Sequence, residues 1–160
     1  MDQKVLCVYY SRSGNTKQVI EQLTEKLPCD VEHIGEPRKR KGVIGFLRSG
    51  FEAATKKIVS IDEQKHDPSS YDLVIIATPM WASTVSSPVR SYLYQNKGKF
   101  KKQVAYIVTS GYKASSKVCS QLDELTNLTP KTRMELKHKD FKMNTIDQAI
   151  DQFIQNINES

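Results

Sequence analysis

The sequence predicts an α/β fold, a parallel sheet covered by helices on both faces, and three observations carry that reading. Apolar, β-branched runs at Lys4–Tyr10 (KVLCVYY), Leu73–Thr78 (LVIIAT) and Val104–Thr109 (VAYIVT) suit strands buried on both sides. Segments with helical spacing of apolar residues separate them. The strand-then-helix alternation repeats five times, with no linker and no internal repeat, as one domain over residues 1–160 would have it.

Taken in order, Asn15–Leu27 follows the first strand and sets Val19, Ile20, Leu23 and Leu27 on one stripe; Pro28 stops it. Val31–Ile34 is a short second strand, and Glu36–Lys41 (EPRKRK) reads as a surface loop. Val43–Lys57 has a helical period through Ile44, Leu47, Phe51 and Ala54. Asp67-Pro68-Ser69-Ser70 is turn chemistry. Pro79 is expected to end the third strand, since proline donates no ladder hydrogen bond. Ser87 is the expected N-cap of a helix through Tyr94, with Pro88 at its first position. Ser115–Leu125 is a helix, and Arg133–Lys139 alternates apolar and charged residues like an edge strand. Asn144–Ile157 closes the chain as a helix with an apolar stripe of Ile146, Ile150, Phe153, Ile154 and Ile157.

Composition narrows the function classes. The 160 residues carry a formal charge of +6, which favours anionic ligands or acidic partners without choosing among them. The first apolar run is too short to span a bilayer and no cleavage site follows it, so the expectation is a soluble, untargeted, cytoplasmic protein with no membrane partner. The three cysteines, Cys7, Cys29 and Cys119, are odd in number and widely spaced, which argues against a disulfide framework. His33, His66 and His138 show no metal-ligand spacing. CVYYSR, Cys7 to Arg12, is one residue short of a Cys-x5-Arg phosphatase loop and has no internal glycine.

The chemistry concentrates in the loop Ser11-Arg12-Ser13-Gly14-Asn15-Thr16. A strand running into a short hydroxyl-and-glycine loop and then a helix start suits a phosphate, because the helix offers unpaired N–H groups and a partial positive charge. Ser11, Ser13 and Thr16 can donate hydroxyl hydrogen bonds, Gly14 permits close approach, and Asn15 can cap the helix. The lysine of a GxxxxGK[ST] loop is absent, and so is GxGxxG. A monophosphate needs neither.

YYSRSGNT, with VIIATPMWASTVSSPVRSYL downstream, resembles the flavodoxin-like FMN-binding family. The likeness in element order covers nearly the whole chain. It rests on the hydroxyl-x-hydroxyl-Gly-x-Thr loop at Ser11, Ser13, Gly14 and Thr16, and on the Pro-x-Trp loop at Pro79, Met80, Trp81 and Ala82. The resemblance implies a three-layer sandwich with a five-stranded parallel sheet in order 2-1-3-4-5. It also implies FMN at the carboxyl edge where strand order reverses. Trp81, the only tryptophan, would then pack near the flavin, with Met80 through Ser83 along the ring edge. Ser110 and Gly111 would contact its pyrimidine end, and Tyr112 would cover the other face. The sequence departs from acidic flavodoxins in placing hydroxyls where carboxylates would stand and Arg12 inside the phosphate loop, which predicts a less negative potential.

The basic segment Arg38, Lys39, Arg40, Lys41, Arg48, Lys56 and Lys57 is read either as a solvated face or as a docking surface for an acidic redox partner or NADPH phosphate; no nucleic-acid motif accompanies it. Phe46, Leu47 and Phe51 within it belong to a cofactor rim or a dimer contact. The functional expectation is FMN-based electron transfer, either as a carrier between redox partner proteins or as an NAD(P)H-dependent reductase of quinone or FMN. A non-redox anion-binding module is the alternative. No catalytic side chain is assigned.

Overall fold

The computed structural model describes residues 3–113 and 115–159. In chain order the elements are β1 (Val5–Tyr9), α1 (Asn15–Lys26), β2 (Asp30–His33), α2 (Gly42–Ala54), β3 (Leu73–Trp81), β4 (Thr84–Val85), α3 (Ser87–Gln95), β5 (Gln103–Ser110), α4 (Ser116–Thr126), β6 (Arg133–Lys137), α5 (His138–Met143) and α6 (Ile146–Glu159). The sheet runs β2-β1-β3-β5-β6, all parallel, with β4 hanging antiparallel from the end of β3. Counted among the parallel strands alone, this is the expected order 2-1-3-4-5; β4 adds a sixth strand off that path.

Alternation along the central strands builds two cores. Leu6, Val8, Val74, Ile76, Tyr106 and Val108 face α3 and α4, where Val89, Tyr92, Leu93, Val118 and Leu122 meet them. Cys7, Ile75, Ala77, Ala105 and Ile107 face α1 and α6, where Val19, Ile20, Leu23, Ile150, Phe153 and Ile157 close the other side. A strand buried on both faces needs apolar side chains at every position, which is why these runs do not alternate. Each fully buried Leu, Ile or Phe contributes about 1.5–3 kcal/mol.

Several elements differ from their sequence reading. β3 does not end at Pro79 but continues to Trp81. Pro79 lies beyond the last β1 partner, Ala77, so that flank of the strand has no neighbour needing its N–H. The N-cap of α3 is Ser86, one residue before the expected Ser87. α1 is capped by Gly14 at φ 100°, with no side-chain cap, so Asn15 is the first helical residue and not the cap. α5, a single short helix after the edge strand, was not expected. The loop Glu36–Lys41 is not wholly at the surface, since Arg40 is buried.

The β3–β4 hairpin turns at Ala82 (φ 48°) and Ser83 (φ 62°), both left-handed. Two central residues with positive φ are the demand of a type I′ turn, which Asn-Gly satisfies at least cost. Left-handed backbone costs an L-residue about 1–2 kcal/mol. The double replacement Ala82→Asn, Ser83→Gly is therefore expected to stabilise the chain by about 1 kcal/mol, read as an increased urea midpoint at constant slope. An unchanged midpoint would mean the turn holds no such strain.

Candidate functional site

The carboxyl ends of β1, β3 and β5 open onto one hollow of about 260 Å³. From the first loop it is lined by Arg12, Ser13, Asn15 and Thr16; from the second by Pro79, Met80 and Trp81; from the third by Thr109, Ser110 and Gly111. Three stretches far apart in sequence thus converge, and each contributes residues expected at the site.

The first loop is shaped by local hydrogen bonds. Gly14 N–H donates to Ser11 Oγ at 3.1 Å, and Gln18 N–H to the Gly14 carbonyl at 2.9 Å. That leaves the N–H groups of Asn15, Thr16 and Lys17 without intrahelical acceptors, as at any helix start. No acidic residue occupies the first turn of α1, so its positive end is uncompensated from within. Gly14 is required here because φ 100° disfavours any side chain, while a Cβ would meet nothing within 4 Å. Ser13 is exposed.

Thr16 is only 1% exposed, and its Oγ1 shares a 2.8 Å hydrogen bond with Thr109 Oγ1. The first and third loops are thereby tied by two side chains. A hydroxyl that accepts from Thr109 keeps its own proton free for a ligand oxygen.

Trp81 is buried beneath the second loop. Tyr10 meets it edge-on at 5.4 Å between centroids, and the Arg40 guanidinium lies 5.0 Å from its ring centre. Arg40 is held by Glu36, with Nε and Nη2 each 2.8 Å from a carboxylate oxygen, and by Glu52 at 2.5 Å; Arg48 Nε donates to Glu52 at 2.8 Å. Tyr10 Oη donates to Glu36 at 2.9 Å. Burial alone would raise the Glu52 carboxyl, but hydrogen bonds and charge from Arg40 and Arg48 outweigh it and hold it below its ordinary value. Burial would likewise lower Arg40, and its two carboxylate partners reverse the sign. Burial and the Glu36 carboxylate together push the Tyr10 hydroxyl well up, so it stays protonated.

Not every expected residue lines the hollow. Ser11 opens instead toward a neighbouring cavity of about 390 Å³, and its hydroxyl is engaged by Gly14. Gly14 acts through the backbone. Ala82 lines an adjoining hollow of about 190 Å³, reached past Phe46 and Met80. Ser83 lies in the strained turn. Tyr112 is 81% exposed and packs edge-on to His138 at 5.8 Å rather than over the hollow.

Two lining residues were not assigned from the sequence, Thr109 and His138, and Phe46, read as either cofactor rim or dimer contact, lines the hollow. Thr109 is the next-to-last residue of β5 and carried the same hydroxyl signal as its neighbour Ser110. Phe46 comes from α2, its ring 5.2 Å from the Arg12 guanidinium. His138 starts α5, where its N–H donates to the Gly111 carbonyl at 3.0 Å. Nothing local in the sequence marks His138. Among the described residues no carboxylate lines the hollow. Among the described residues no cluster of His, Cys, Asp or Glu could hold a metal. Burial raises the thiols of Cys7 and Cys119, and burial followed by the nearby Asp30 carboxylate pushes Cys29 up to about 11, so none is a poised nucleophile.

No protein-family model matches the chain, and no curated protein sequence matches it. Solved structures do. A flavoprotein from Bacteroides eggerthii superposes with a TM-score of 0.74 at 20% identity, covering 96% of this chain and 99% of its own. A flavoprotein from Lactobacillus acidophilus, crystallised with FMN, gives 0.69 at 20% identity, over 90% and 98%. A flavodoxin, WrbA-like, from Agrobacterium tumefaciens gives 0.55 at 13% identity, over 96% and 99%.

The chain has the flavodoxin-like fold.

In flavodoxin-like sheets the strand order reverses between β1 and β3, and the crevice lies outside their carboxyl ends. The 260 Å³ hollow sits at that switch point, bounded by the loops that leave β1, β3 and β5. No described helix is long and apolar enough to cross a membrane.

Proposed function

We propose that the chain, as one domain over residues 1–160, binds FMN in this hollow and acts in electron transfer. The observation that carries the reading is the joining of an uncompensated helix start to a carboxylate-free hollow that Pro79, Met80 and Trp81 wall on one side. The phosphate would meet Ser13, Thr16 and the N–H groups at the start of α1. The flat ring would run along Pro79–Trp81, with Ser110 and Gly111 at its polar end. Bound FMN supplies the redox chemistry, and the protein supplies binding, orientation and local charge. The three unpaired thiols fit a reducing, cytoplasmic setting.

The test is direct. The purified chain is expected to be yellow, or to quench FMN fluorescence on titration to saturation; a colourless chain that leaves FMN fluorescence unchanged would sink the proposal and leave an anion-binding module. Carrier and reductase separate by turnover. Rapid NAD(P)H oxidation with a quinone and no added protein marks a reductase, whereas a carrier needs a redox partner protein.

The electrostatics make a second prediction. Arg12 lines the hollow and no carboxylate does, so negative charge added to the ring on reduction is favoured. The lower of the two FMN potentials is expected to be less negative than in acidic flavodoxins, and Arg12→Gln is expected to shift it downward. A spectroelectrochemical titration that shows no shift in this variant removes Arg12 from that role.

A further inference from the structure

α2 is mounted inside out. Val43, Ile44, Phe46, Leu47 and Phe51 are each 60–82% exposed, while Gly45, Ser49, Glu52 and Ala53 are buried. At 100° per residue the exposed set, with Gly50 and Ala54, fills an arc of roughly 160° without one polar side chain. The buried ion pair sets this orientation. Glu52 partners Arg40, and Ser49 Oγ lies 3.4 Å from Arg40 Nη1. Rolling the helix over would strip a buried guanidinium of its partners.

Cations frame the arc at both ends. Arg38, Lys39 and Lys41 precede it, and Lys56 and Lys57 follow; all are exposed and form no ion pair among the described residues. The two carboxylates of residues 36–58, Glu36 and Glu52, both turn inward to Arg40. The outward surface is therefore apolar at its centre, positive at its ends and free of negative charge.

We infer that this face docks on an anionic lipid surface. A phenylalanine- and aliphatic-rich helix face framed by lysine and arginine matches both layers of such a surface: acyl chains take the side chains, and headgroup charges take the cations. A second copy fits poorly, because a two-fold contact would press one cationic frame against the other. Of the residues enriched at protein-docking cores, Tyr, Trp, Met and Arg are absent from the exposed arc and only the two phenylalanines, Phe46 and Phe51, are present. Phe46 belongs to both the arc and the wall of the candidate FMN hollow, so docking would turn the mouth of that hollow toward the bilayer. An apolar quinone dissolved there is the electron acceptor this geometry favours, a point that rests on the FMN proposal. The inference revises the sequence expectation of no membrane partner: the chain would lie on the surface without crossing it.

The experiment is co-sedimentation of the full chain with vesicles of phosphatidylcholine, with and without phosphatidylglycerol. Binding is expected only with the anionic lipid and should weaken as salt is raised. Ile44→Ser, Leu47→Ser, both solvent-exposed and outside the FMN hollow, is expected to lower vesicle affinity about tenfold or more. It should leave FMN titration unchanged, so failure of lipid docking is read separately from failure of cofactor binding. Lys56→Gln, Lys57→Gln is expected to lower it by several-fold without altering the far-ultraviolet spectrum. No binding to anionic vesicles, which would leave an acidic protein as the occupant, overturns the inference. So does a concentration-dependent dimer abolished by the Ile44 and Leu47 replacements, or equal binding to both vesicle types.

Discussion

Replacing Arg40 by leucine is expected to destabilise the chain by about 3–5 kcal/mol, a large fraction of an ordinary domain's 5–15. Arg40 has no exposed side-chain surface and holds Glu36 and Glu52 in place under Trp81. Leucine would fill part of the space but leave two carboxylates facing a site with one remaining cation, Arg48. The cost is that of stranded charge. The triple replacement Arg40→Leu, Glu36→Leu, Glu52→Leu removes the charges together and is expected to recover most of the loss. Urea unfolding of both variants checks this. A single-variant loss below about 1 kcal/mol would mean that water reaches Glu36 and Glu52 freely. The same network shapes acid stability. Because the Glu52 carboxyl is held below its unfolded value, its contribution is fully present above that value and is lost as pH falls through the folded one.

At the start of α1, Ser13→Ala is expected to weaken FMN by about 1.5–3 kcal/mol, roughly tenfold to over a hundredfold, while riboflavin binding stays nearly constant. Ser13 suits the test because it is exposed and its loss leaves no buried atom unpaired. Thr16 is less clean, since Thr16→Val would also strand the Thr109 hydroxyl. Gly14→Ala probes the same site through the backbone. Nothing lies within 4 Å of its added methyl, so the about 1–2 kcal/mol it should cost arises from φ alone. Isothermal titration with both ligands checks these variants. Equal losses for FMN and riboflavin would take the phosphate out of this loop.

The sheet was legible because β1, β3 and β5 carry unbroken apolar runs, Val5–Tyr9, Leu73–Ala77 and Val104–Val108, as strands buried on both faces do. The convergence of the first and second loops followed from strand order. Three features were hidden, each for a physical reason. The orientation of α2 depends on Arg40 lying inside, and a run of basic residues reads as solvated unless its carboxylate partners are known. The extension of β3 past Pro79 depends on where β1 ends. His138 reaches the hollow only through tertiary placement, from the start of α5, and that helix carries no local motif for it. Asn15 was the better cap by propensity, yet the left-handed turn at Gly14 places it one residue inside the helix.

β2 and β6 flank the sheet, and both are short. β2 carries Asp30, Glu32 and His33 in four residues, and β6 alternates Arg133, Glu135 and Lys137 with Met134 and Leu136. Between them lie β1, β3 and β5, whose apolar runs would be templates for intermolecular pairing if laid bare. Charged outer strands act as gatekeepers, because a second sheet joining there would have to bring like charges together or desolvate them. The guard against edge-to-edge growth in this chain therefore lies at its two margins, where β2 alone covers the outer side of β1 and β6 alone covers that of β5.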